Sequence, residues 1–335
     1  MKRIISLLLA LALSLSLAAC AAPAEKADGG KLQIVTTLFP YYDFARAIAQ
    51  DRADVTLLLS PGREAHSFEP TPLDAVTISE ADVFLYNGGE GEYWVESMLD
   101  AAGEHIAVAS RMMDYVDALN EEYVEGMQGA DGHDHDHEHG SHDDHDHDHE
   151  EDEHDSDEIE YDEHIWTSPK NAVVLCRAVC DAICRADAEN AAFSRANCEN
   201  YCAQLEDLDA RFAALCESAP RRLLIFADRF PMLYFCREYG LDYRAAFHGC
   251  SGDTEPSLAT IKFLIDKVED ENIPVVYTID FGTKKVAAVV SECTGAAIET
   301  LYSMQTVSRA DFDAGETYLT LMERNFEALR KGLNA

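Results

Sequence analysis

Between Asp131 and His164 the chain reads DGHDHDHEHGSHDDHDHDHEEDEHDSDEIEYDEH. Nine of the chain's 13 histidines lie between His133 and His154: His133, His135, His137, His139, His142, His145, His147, His149 and His154. Neutral imidazole interleaved with carboxylate is a good surface for borderline divalent metals. The same composition has almost no apolar surface and repels itself, so 131–160 is expected to be disordered and to act as an accessory metal loop. Four histidines lie outside that cluster: His66, His105, His164 and His248. His66 sits after a predicted strand, in a loop shaped by Pro61 and Gly62, where open α/β sheets place ligands. His164 closes the tract beside Ile165-Trp166, just before a helix start. His248 also follows a predicted strand. His105, between Gly103-Glu104 and Ile106, reads as a surface residue.

The elements that position these residues alternate strand and helix. Strands are expected at Leu32–Thr37, Val55–Leu59, Val83–Tyr86 and Ile106–Ala109, with helices at Tyr42–Gln50, Ala75–Glu80 and Tyr93–Ala102 between them. Phe39-Pro40 is expected to break the first strand. After the tract, Ser168 caps a helix with Pro169 at its first position, a strong start signal. That helix runs to about Ala186, and a second spans about Ala188–Glu217. Strand and helix then alternate again: Leu223–Ala227, Pro231–Tyr239, Tyr243–Phe247, a helix from Ser257, Val275–Ile279, Lys284–Cys293, Ala297–Thr300 and a last helix at about Glu316–Lys331. Alternation of this kind predicts parallel βα units. The expected fold is α/β: two (β/α) lobes with the helix from Pro169 to about Ala186 as the connector between them.

The chain has 335 residues, about right for two domains. Its net charge is −37, roughly half of it in the tract. Such a balance excludes nucleic acid as a partner, which needs basic patches, and suits attraction of cations. Lys2-Arg3, the apolar run Ile4–Leu17 and the sequence Leu17-Ala18-Ala19-Cys20 form a targeting segment. Small residues followed by Cys resemble a bacterial lipobox, so Cys20 is the expected lipidation site. No later stretch reaches 18 apolar residues, the length a membrane span needs. Of ten cysteines, Cys176, Cys180 and Cys184 recur every fourth residue, as do Cys198 and Cys202. Neighbours on one helix are poorly placed to bridge each other, so most read as small apolar core residues.

Two segments carry a specific resemblance. Gly62-Arg63-Glu64-Ala65-His66-Ser67-Phe68-Glu69-Pro70 and Asp162-Glu163-His164-Ile165-Trp166-Thr167-Ser168-Pro169 resemble the two metal motifs of the cluster A-I solute-binding proteins of ABC importers, the ZnuA/TroA type. The His/Asp-rich insertion before the second motif resembles the zinc-specific branch. The likeness continues through Tyr239-Gly240-Leu241, Glu255-Pro256-Ser257 and Ala314-Gly315-Glu316.

The resemblance implies a monomer of two Rossmann-like (β/α) lobes joined by a long rigid linker helix, with metal held between the lobes and His66 and His164 as ligands from the first. Its third ligand follows the strand before Tyr239-Gly240-Leu241, where this chain reads Phe226-Ala227-Asp228-Arg229-Phe230-Pro231 and has no histidine. Asp228 is the expected ligand there, with His248 as the alternative. Asp280, after the next-to-last strand, is the expected fourth. Two histidines with two carboxylates suit Mn²⁺ as well as Zn²⁺; the histidine tract favours Zn²⁺. The implied organisation is a signal peptide (1–19), a lipidated tether (20–30), a first lobe (31–167), a linker helix (168–187) and a second lobe (188–335). The implied role is an extracytoplasmic zinc-binding lipoprotein, anchored to the bacterial membrane, that delivers Zn²⁺ to an ABC permease and its ATPase. The alternatives are a manganese-binding importer component and a metal-dependent adhesin or zinc-storage lipoprotein. No His-Glu-x-x-His occurs, and four protein ligands would leave no open position, so no enzyme is expected.

Overall fold

Each half of the chain builds a four-stranded parallel sheet. The computed structural model describes residues 30–63, 68–103, 106–128, 160–251 and 255–334. In the first half the elements are β1 (Leu32–Thr36), α1 (Phe39–Ala49), β2 (Ala53–Leu57), α2 (Pro72–Ser79), β3 (Val83–Tyr86), α3 (Val95–Ala102) and β4 (Val108–Arg111). Next come α4 (Pro169–Ala186) and α5 (Ala191–Ser218). The second half holds β5 (Leu223–Phe230), α6 (Leu233–Tyr239), β6 (Asp242–His248), α7 (Leu258–Asp270), β7 (Val275–Ile279), α8 (Lys285–Thr294), β8 (Ala297–Leu301), α9 (Arg309–Ala314) and α10 (Tyr318–Leu333).

The strand orders are β2-β1-β3-β4 and β6-β5-β7-β8, every pairing parallel. The two lobes therefore share one topology, and in each the strand order reverses at the first strand. Open α/β sheets bind ligands outside the carboxyl ends of their strands at such a reversal. His248 ends β6, Asp280 directly follows β7, and the segment after β2 leaves the same kind of carboxyl end.

Several boundaries differ from expectation for identifiable reasons. Phe39-Pro40 opens α1 instead of ending β1, because proline at the first helical turn forfeits no hydrogen bond. β5 runs past Ala227 to Phe230 through a register shift between Phe226 and Arg229 that admits the polar Asp228-Arg229 pair. The short helix α9, capped by Ser308, was not expected. Ser168 does cap α4, its hydroxyl accepting from the Asn171 N–H.

α4 packs on α1, β3, β4 and α5. α5 has partners in both halves. Near its start the Asn197 amide donates to the Ile48 carbonyl at 2.9 Å, and the Tyr201 hydroxyl donates to Asp43 at 2.6 Å. Near its end Arg211 pairs with Glu323 of α10, and the Phe212 ring lies 4.9 Å from Phe235 and 5.3 Å from Phe326. One apolar cluster consequently runs through both halves, including Phe44, Trp166, Tyr201, Phe212, Phe235 and Tyr318. Seven of the cysteines are buried, Cys250 is partly buried and Cys293 is exposed. Among the described residues, no helix is long and apolar enough to cross a membrane.

Candidate metal site

His164 lies on the short 3₁₀ turn entry that precedes α4 and is 1 % exposed. Asp162, fully buried, accepts from the His164 backbone N–H at 2.7 Å and lies 3.0 Å from its ring Nδ1. With Nδ1–H donated to the carboxylate, Nε2 keeps its lone pair for a metal. Trp166 packs edge-on, 5.6 Å between ring centroids. Burial pulls the His164 pKa down, but Asp162, Glu121 and Glu163 outweigh it and hold the pKa above the ordinary histidine value.

Glycines let the neighbouring chain approach. At Gly89, φ is +141°, and a Cβ would lie 2.5 Å from Glu163 Oε1. The Glu163 carboxylate accepts from the Gly91 N–H at 2.8 Å. At Gly249 a Cβ would lie 3.0 Å from His164 Cε1 and 2.9 Å from the Phe230 carbonyl. The turn after β6 therefore passes in contact with the imidazole, and only glycine fits there.

That turn brings His248, and with it a carboxylate that sequence reasoning missed. Glu121 Oε1 lies 3.8 Å from His248 Nδ1 and accepts from the Cys250 N–H at 3.2 Å. Burial alone would raise the Glu121 pKa; His248, His164 and the Cys250 thiol outweigh it and keep the carboxyl below its usual range. Glu121 reaches this place through pairing of the tract's two ends. The Glu121 N–H donates to the Glu160 carbonyl at 2.9 Å, the Asp162 N–H donates to the Leu119 carbonyl at 2.9 Å, and Asn120 bridges Tyr161 antiparallel. The Tyr234 hydroxyl of α6 joins both ends, donating to the Asp162 carbonyl at 2.8 Å and accepting from the Leu119 N–H at 3.0 Å.

The two expected carboxylates sit at the strand ends of the second lobe. Asp228 accepts from the Arg229 N–H at 2.9 Å and from the Ile279 N–H at 3.3 Å, tying β5 to the end of β7. It is packed on Gly282, where a Cβ would lie 1.7 Å from Oδ2. Asp280 accepts from the Ser303 N–H at 3.1 Å. Burial pushes the Asp280 carboxyl up to about 6 despite that hydrogen bond. Ser303 also receives the Trp166 indole N–H on its carbonyl at 2.7 Å, which links Asp280 to the His164 segment through one residue. The same stretch accepts from the Phe39 N–H at Gln305 (3.3 Å) and from the Gly62 N–H at Val307 (2.8 Å).

Among the described residues, His164, His248, Asp228 and Asp280 supply no three ligand atoms that all lie within 4.8 Å of one another. His66, His105, Cys20 and the nine tract histidines lie outside the described residues.

Two parallel α/β lobes of one topology, with a carboxylate-held imidazole facing the second lobe, define the two-lobe solute-binding class. The chain belongs to the family described as zinc-uptake complex component A, periplasmic, which matches residues 34–332. It is 31% identical over 308 residues to the high-affinity zinc uptake system protein ZnuA of Bacillus subtilis, covering 91% of this chain and 88% of that protein. It is 30% identical over 334 residues to the zinc-binding lipoprotein AdcA of Streptococcus pneumoniae, 99% of this chain but only 61% of the longer relative. The crystal structure of the Zn(II)-bound ZnuA-like domain of that AdcA superposes with a TM-score of 0.71 at 26% identity, over 91% of this chain and 100% of the domain.

Proposed function

We propose that this chain is the extracytoplasmic zinc-binding component of an ABC importer, which captures Zn²⁺ and hands it to a permease driven by its ATPase. The family and the zinc-binding relatives support this reading. The observation that carries it is His164: a buried imidazole, oriented by Asp162, against the turn of the opposite lobe. Zn²⁺ is cargo here, and the reading is capture rather than catalysis.

His66 and His164 are the first-lobe ligands in this proposal. From the second lobe we take the alternative, His248, ahead of Asp228. The His248 turn touches the His164 ring, whereas Asp228 is engaged with the backbone at Arg229 and Ile279. Asp280 remains the fourth ligand, and Glu121 holds His248. The tract histidines gather zinc as weak accessory sites, and the chain on either side of them pairs at Asn120 and Tyr161, next to His164. Lipidation at Cys20 anchors a monomer to the membrane.

A competition titration with Zn²⁺ and Mn²⁺ tests the reading, using the full chain and a variant lacking residues 132–156. One tight zinc equivalent that survives the deletion, with weaker manganese, is expected. Loss of all tight zinc with the tract, or a preference for manganese, would overturn it.

A further inference from the structure

A second cluster of metal-binding atoms lies away from the cargo site, in the seam between α4 and α5. Cys176, Cys180 and Cys184 line one side at four-residue spacing, and Cys198 and Cys202 the other. All five are buried. The sulfurs of Cys176, Cys198 and Cys202 all lie within 4.8 Å of one another. Cys198 and Cys202 are 3.9 Å apart, and the Cys180 thiol lies beside them, in hydrogen-bonding reach of Cys198 and 3.9 Å from Cys184. A zinc–sulfur bond of about 2.3 Å puts two sulfurs on one tetrahedral ion about 3.8 Å apart. The observed spacing therefore needs only a small contraction.

Filling a helix seam requires only small apolar side chains, and alanine would serve. Thiols from two helices converging on one point add a capacity that alanine lacks. One turn of α5 presents Cys198 and Cys202 on the same face, and α4 supplies Cys176 opposite. The Arg177 guanidinium, ion-paired with Glu206 at 3.0 Å across the seam, brings positive charge toward Cys202.

We propose that Cys176, Cys198 and Cys202 form a trithiolate site for a thiophilic d¹⁰ cation of the Zn²⁺, Cd²⁺ and Cu⁺ class. Soft thiolate ligands select such ions. On binding, three S–H bonds break, three metal–sulfur bonds form and three protons leave to solvent. No electrons are transferred. The bound ion fastens α4 to α5, and α5 is the helix with partners in both lobes. The site shares no residue with His164, so the two sites are separable by mutation.

The test is a Cd²⁺ titration of the reduced full chain without oxygen, read as the thiolate-to-cadmium charge-transfer absorption and as the thermal midpoint. One equivalent of thiolate-bound cadmium is expected, with a raised midpoint. The absorption should persist in His164→Ala and in Cys250→Ser/Cys293→Ser, and vanish in Cys198→Ser/Cys202→Ser. Should the last variant fail to fold, counting reactive thiols in unfolding wild-type protein decides: bound cadmium should slow the labelling of three thiols. No charge-transfer band, a band that survives in Cys198→Ser/Cys202→Ser, a band lost with Cys250 and Cys293, or unprotected thiols would overturn the proposal. So would an as-isolated chain already two thiols short, which would mark a disulfide in the seam.

Discussion

Asp162 takes two hydrogen bonds from His164, one from its backbone and one from its ring. The carboxylate thereby sets both where the histidine sits and which ring nitrogen stays open. Asp162→Asn keeps the size and loses the charge. Partners of this kind are worth about 10–100-fold in metal affinity. Competition titration should show a loss in that range with stoichiometry unchanged. An unaltered affinity would mean that something else orients the ring.

His248 and Asp228 are separated by different readouts. His248→Ala should weaken zinc binding and leave folding nearly intact, since its ring is near the lobe junction. Asp228→Ala removes the acceptor for the Ile279 and Arg229 N–H groups. It should cost about 1–3 kcal/mol in urea unfolding of the metal-free protein. The opposite pattern, with affinity lost in Asp228→Ala alone, would return the third position to Asp228.

Zinc binding should weaken on acidification earlier than free imidazole would predict. The His164 pKa is raised, so the ring holds its proton above pH ~6.5. Metal must displace that proton. In the metal-free protein the sign is opposite: the extra stability from protonated His164 is present below pH ~6.5 and fades as pH rises through the raised value. Apparent zinc affinity and metal-free unfolding, both measured from pH 5 to 8, should therefore slope in opposite senses. Asp162→Asn should move both transitions to lower pH.

Glu92 offers a separate pH signature. It lies against Thr37, Trp94 and Asn87 beneath the first lobe's loops, and burial lifts its carboxyl to about 7. The Gly88 N–H donates to one oxygen at 2.8 Å, while the other has no hydrogen-bond partner. A carboxyl raised on folding favours the folded state at low pH, and the benefit is lost as pH climbs from about 4.5 to 7. Glu92→Gln should flatten that decline by about 3 kcal/mol at most. An unchanged slope in chemical denaturation from pH 4 to 8 would show that Glu92 ionises without penalty.

Much of the fold was legible because its signals are local. Ser168-Pro169 marks the start of α4 by capping chemistry alone, and every residue of Val275–Ile279 is β-branched or aromatic. Phe39-Pro40 was misread because one dipeptide can close a strand or open a helix, and the packing of Phe39 and Tyr41 into the core decides. At the site, His164 announces itself by its neighbours. Glu121 does not: it is one acid among many, and only the pairing of Asn120 with Tyr161 carries it to His248. Asp228 was chosen for its place in the chain, and no local pattern reveals that its oxygens face the end of β7.

The segment from Ser303 to Val307 offers the carbonyls of its first, third and fifth residues to Trp166, Phe39 and Gly62. The segment is irregular, with Met304 at φ +59° and a bend at Gln305-Thr306, and that kinked path aims its alternate carbonyls at the first lobe. Three such bonds are worth about 2–4 kcal/mol together. Those bonds behave like a short zip fastener: parting them frees three carbonyls at once while each four-stranded sheet keeps its own pairing.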